Sequence, residues 1–176
     1  MRSIDNIREY RKTIYSIAEF LISNENAVSE FSTVLEWSDL EYIPTWLLWD
    51  KNDINNLILT AGTIFLLPSI RIWIDGKKIQ EVRELIGKEL FDLIMETTKI
   101  DNNQIKTLDL DHIEESLLSA GSAVIVSSSN MRIRPWITNV IPKPKGKLDF
   151  ELANEIMKHT IFVINQNQFK KINGLV

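Results

Sequence analysis

The hydrophobic positions of the chain fall into helical stretches separated by polar breaks. Residues 57–67 are apolar on nearly every side, which predicts a helix buried all round. Asp53 is placed to cap it at a start near Asn55, and Pro68 ends or kinks it. Ile70, Ile72 and Ile74 then alternate with Arg71 and Trp73, a pattern that fits a short strand or one helical turn. After an Asp75-Gly76 turn, Ile79, Val82, Ile86, Leu90, Leu93 and Ile94 recur at helical spacing. Lys77, Glu81, Glu84, Lys88 and Asp92 are left for water. This predicts one amphipathic helix running to about Thr98.

The flanking pieces read in the same way. Behind Ser3 as a cap, Ile4, Ile7, Ile14, Ile17, Ala18 and Leu21 share a helical face, and residues 23–26 form a loop. Residues 27–54 hold Phe31, Trp37, Trp46 and Trp49 among other large apolar groups, with a break before Pro44. Such an aromatic cluster is either core or a partner-binding face. Residues 100–107 read as a polar connection. Asp111 and Glu114 resemble a capping box that opens a helix carrying Ile113, Leu117, Leu118, Ala120, Val124 and Ile125. The small residues Ser119, Ala120, Gly121, Ser122 and Ala123 on it would let a second helix approach closely. In residues 131–147, Pro135, Pro142 and Pro144 oppose a regular helix, so the segment is expected to be extended, exposed and basic. A last helix runs from 148 to about 166, capped by Asp149, with Phe150, Ala153, Ile156, Met157, Ile161 and Ile164 as its buried stripe. Residues 167–176 are expected to fray. The sum is a mainly α, compact single-domain helical bundle over residues 1–176. It has irregular proline-containing connections and at most a short β element.

Composition adds limits. A length of 176 residues suits one domain with a proper core. There is no cysteine, which removes disulfides, thiolate metal sites and a cysteine nucleophile. The N-terminal stretch lacks the continuous apolar core of a secretory signal. The 57–67 run is too short to cross a bilayer, which takes about 20 residues. The net charge of -4 hides an asymmetry: residues 1–56 carry -5, residues 57–126 carry -4 and residues 127–176 carry +5. Such a split either steers an acidic partner to one surface or is neutralised within the fold.

Catalytic chemistry finds no foothold in the sequence. Asp109, Asp111, His112, Glu114 and Glu115 lie close together, but their spacing fits no calcium loop and a helix start explains them. His159 has no HExxH partner and reads as a structural histidine. Residues 127–129 lack the context of a nucleophile elbow, and the six glycines form no phosphate-cradling loop. No catalytic residue, metal ligand or cofactor site is therefore assigned. The basic segment holds Arg132, Arg134, Trp136, Lys143, Lys145 and Lys147. One aromatic on an acidic chain with no RNP or KH pattern argues against nucleic acid and for an acidic protein partner or a solvated loop.

Three features give the chain a resemblance. The first is Pro44-Thr45-Trp46-Leu47 ahead of a buried helix. The second is Ile74-Asp75-Gly76 leading into a helix with Leu85-Ile86-Gly87-Lys88-Glu89-Leu90. The third is the helix containing Gly121, followed by Arg132-Ile133-Arg134 and Val140-Ile141-Pro142. In this order, over about residues 43–144, the chain is similar to the SctK family of type III secretion systems, with relatives called YscK, OrgA and MxiK. The resemblance implies a non-catalytic, cytoplasmic adaptor of the injectisome sorting platform. It would bridge the inner-membrane ring protein SctD to the pod protein SctQ without inserting into the membrane. Arg132, Arg134, Trp136, Lys143 and Lys145 are the candidate residues of one contact face, and Trp46 and Trp49 of the other. A secretion chaperone that binds an effector segment as a dimer is the competing expectation, and a small hydrolase or metal enzyme a more distant one.

Overall fold

The computed structural model describes residues 42–73, 75–98 and 111–172. The predicted first helix, residues 23–41 with Phe31 and Trp37, the 100–107 connection and Ile74 lie outside the described residues. Those described are mainly α-helical, with no strand among them. Ile70 belongs to a helix and Ile72 is exposed, so the alternation there is the end of a helix rather than a strand.

The chain forms two compact units. One comprises residues 1–54 and 129–140, the other residues 55–128 and 141–176. In the first, the described residues form a 3-10 turn at Thr45–Leu48 and a short helix, Arg134–Val140, with Pro135 as its second residue. That proline does not oppose the helix, contrary to the sequence expectation, because it sits in the first turn where a missing N–H leaves nothing unpaired. Among its described residues, Ile43, Trp46, Leu47, Ile54, Ile133 and Ile137 are buried.

Helix α1 is Lys51–Arg71, α2 Gly76–Ile86, α3 Lys88–Thr97, α4 Ile113–Ser128, α5 Arg134–Val140 and α6 Phe150–Ile172. In the second unit α6 packs on α3 and α4, and α2 packs on α3 and α4. Helix α1 starts earlier than expected. The Asp53 N–H donates to Asp50 Oδ1 at 2.9 Å, which makes Asp50 the cap and puts Asp53 inside the helix. Pro68 does not end it; one more turn follows, closed by Ile72 and Trp73 N–H donating to Ser69 and Ile70 carbonyls. With these extensions α1 has 21 residues and a mean hydropathy of 1.3 over its most apolar window. It is thus long and apolar enough to cross a membrane, unlike the 57–67 run taken alone. Yet 78% of that window is buried inside the protein, as in a core helix. Its buried threonines are satisfied internally: Thr60 Oγ1 donates to the Asn56 carbonyl and Thr63 Oγ1 to that of Leu59.

The amphipathic stretch after Asp75 is two helices, not one. Asp75 Oδ1 accepts the Lys77 N–H and starts α2. Gly87 then takes φ 90°, a left-handed conformation that breaks the path before α3. Arg83 and Asp92 bridge the break at 2.6 Å, with the Arg83 guanidinium over the Phe91 ring. Arg71 ties α1 to α3: its Nη2 donates to the carbonyls of Met95 and Thr98. Helix α4 begins two residues after Asp111, one residue later than a cap there foresees, with Ser116 N–H donating to the His112 carbonyl. Helix α6 is capped by Asp149, as expected, but runs on to Ile172, so residues 167–172 do not fray. Its buried stripe is Ala153, Ile156, Met157, Thr160, Val163, Ile164 and Asn167, while Phe150 and Ile161 are exposed. Thr160 can be buried because its hydroxyl donates to the Ile156 carbonyl.

Candidate functional site

The candidate site lies where residues 141–149 cross α4. Of the segment expected to be extended over residues 131–147, residues 141–149 are free of helix and strand, with bends at 141 and 145–146. Pro142 and Pro144 need no amide partner, and Ile141 is buried and holds its beginning. Two backbone amides then fasten it. The Lys145 N–H donates to Ser119 Oγ at 3.1 Å, and the Leu148 N–H donates to Ser127 Oγ at 3.0 Å. Asp149 ends the strap by capping α6. The serines serve as posts because both lie on α4, eight residues apart, which is about two turns.

Fastening by amides leaves the side chains of Lys143, Lys145 and Lys147 exposed. None of the three forms an ion pair with another described residue. Under the strap is a cavity of about 270 Å³. Phe65 and Leu66 of α1 and Ala120 and Ala123 of α4 make its apolar floor; Lys145 and Lys147 stand on its rim. The two helices that supply the floor, α1 and α4, approach closely at Gly62 and Gly121. A Cβ on Gly62 would lie 2.0 Å from the Leu117 carbonyl oxygen, and one on Gly121 would lie 1.9 Å from that of Ile58. The small-residue stretch on α4 thus receives a second helix, as its composition suggested.

The other candidate residues lie elsewhere. Arg132, Arg134 and Trp136 belong to the first unit, and the helix Arg134–Val140 interrupts the extended segment expected over residues 131–147. Arg132 is exposed beside an Asn130 turn, and Arg134 is half-buried with its Nε donating to the Ser129 carbonyl. Trp136 is half-buried. Trp46 is only 4% exposed, which makes its ring core and removes it from any contact face. Trp49 is half-buried. In the sequence Lys147 reads only as part of the basic segment, and Ser119, Ala120 and Ala123 only as small residues that admit a second helix; neither they nor Ser127, Phe65 and Leu66 are assigned to a contact site there. The serines carried no signal beyond being small, and only the path of the strap gives them a role.

The two histidines sit away from the strap. His112 is exposed before α4. His159 Nε2 lies 2.9 Å from Thr98 Oγ1, and its ring stacks on Phe162. Burial lowers its pKa below the ordinary 6.5, against an upward pull from Glu155. This is a structural histidine at the α3–α6 contact. Among the described residues no group of three or more metal-binding side chains comes together.

No family model, curated protein or solved structure matches the chain.

Proposed function

We propose that this protein is a non-catalytic adaptor that docks an acidic protein partner on the lysine strap of residues 141–149. One observation carries the reading: Lys143, Lys145 and Lys147 are held outward on a backbone whose amides are bonded to α4. Such a strap offers positive charge with little conformational freedom left to lose, which favours association. The resemblance of residues 43–144 to the SctK family names the setting. In it the chain bridges an SctD-like ring domain and an SctQ-like pod protein at the cytoplasmic base of a type III secretion apparatus. The strap serves one of these contacts, and the first unit, with Arg132 and Trp49 accessible, serves the other.

The test is capture of a purified SctD-like cytoplasmic domain and a purified SctQ-like protein from the organism that carries this chain. The triple variant K143E/K145E/K147E should lose one of the two partners and keep its circular dichroism spectrum. Capture by that variant equal to wild type at low salt, where charge contacts are strongest, overturns the proposal. A stable homodimer that holds an unfolded segment and ignores both folded partners also overturns it, in favour of a secretion chaperone.

A further inference from the structure

The cavity beneath the strap has a chemistry of its own. Its floor is hydrocarbon: Phe65, Leu66, Ala120 and Ala123. Its rim is cationic, with Lys145 and Lys147 exposed and without ion pairs to described residues. The carboxylate next to it in sequence, Asp149, is engaged with the Glu151 and Leu152 amides. Its volume of about 270 Å³ lies below the ~300–1,000 Å³ of pockets for drug-sized ligands. That room suits one side chain rather than a whole metabolite. The walls are fixed: the strap is tied at Lys145 and Leu148, and the α1–α4 crossing at Gly62 and Gly121 leaves no slack for the floor to collapse.

We infer that this cavity is an anchor pocket for an acidic peptide segment of the partner, taking one aliphatic or aromatic side chain between flanking carboxylates that meet Lys145 and Lys147. The inference rests on the docking reading given above and specifies how the strap recognises what it binds. Charge alone selects any acidic surface; a pocket between two lysines selects an acidic segment with an apolar residue at its centre. A buried apolar anchor ringed by charge is the usual form of an interface hot spot.

The probe is a synthetic acetylated peptide, Asp-Glu-Phe-Glu-Asp amide, with a control in which Phe is replaced by Ser and another in which the acids are replaced by Lys. Amide chemical shifts of the full-length protein report binding. The Phe peptide should shift Lys145, Gly146, Lys147 and Ala120 together in a saturable manner. The Ser and Lys controls should bind about tenfold more weakly or not at all. A120L, which fills the floor, should abolish the Phe preference while a residual, salt-sensitive response to acids remains; K145E/K147E should abolish both. Equal binding of the Phe and Ser peptides overturns the pocket. If that happens while K143E/K145E/K147E still loses the folded partner, the docking reading stands without it. If the triple variant keeps its partner, the docking reading falls whatever the peptides do.

Discussion

Gly62 and Gly121 lie at one crossing, each facing the carbonyl one turn before the other. Gly62 is set against the oxygen of Leu117, and Gly121 against that of Ile58, four residues before Gly62. A methyl group at either position would run into main chain, which no rotamer change relieves. Gly121→Ala should therefore destabilise the protein by ~3 kcal/mol, the upper end for overpacking, despite Ala's better helix propensity. Gly62→Ala should do likewise. Urea denaturation reads both; a loss within error of zero would mean the two helices are not in contact.

Gly87 gives the contrasting case. A Cβ there would meet nothing within 4 Å, but φ is 90°. The penalty is purely conformational: at φ 90° and ψ 139° the backbone is in a region that essentially only glycine adopts, so Gly87→Ala should cost ~1–3 kcal/mol and Gly87→Asn as much. If Ala and Asn prove equally harmless, α2 and α3 join through a different backbone path.

Arg71 holds the carboxyl end of α3 through the Met95 and Thr98 carbonyls, at 3.1 and 2.9 Å. Arg71→Met keeps the stem and removes the donors. A loss of ~1–2 kcal/mol is expected, together with faster amide hydrogen exchange in the last turn of α3. Unchanged exchange there would show that the bonds do not form in solution.

His159 makes stability depend on pH. Its pKa is lowered by burial in the folded state, so the unfolded chain binds the proton more readily. The histidine's contribution is whole above the unfolded value of 6.5 and is lost as pH falls through the lower folded value. Thermal denaturation at pH 7.5 and pH 5.5 should show a larger drop in Tm for wild type than for His159→Gln. Equal drops would assign the pH dependence to other groups.

Local signals in the sequence survive in the fold, and those that depend on distant packing do not. Asp149 was legible as a cap because a cap needs only its own next two or three amides, whereas Asp75 read only as part of a turn although it caps α2 in the same way. The start of α1 was misplaced because Asp50 and Asp53 are both acceptable caps, and nothing nearby chooses between them. The break at Gly87 was hidden because the apolar spacing continues across it. Ile161 was assigned to the core on hydrophobicity, yet it lies about 100° of helix turn from Thr160, which is buried instead. A threonine that bonds its own preceding turn counts as apolar, and a periodicity reading has no means of knowing this. At the candidate site, the lysines could be read as a basic stretch. The short helix at Arg134–Val140 within that stretch could not, because three prolines in 131–147 argue against a helix, and only its start beside Pro135 permits one.

The strap is held by main-chain amides to Ser119 and Ser127, so its attachment does not depend on which side chains it presents. Residues 143, 145 and 147 can be exchanged without loosening the loop, provided that 145 keeps its N–H and is not proline. A lineage could therefore retarget this surface in a few substitutions, and a designer could graft a foreign recognition sequence there while the helices beneath stay unaware of the change.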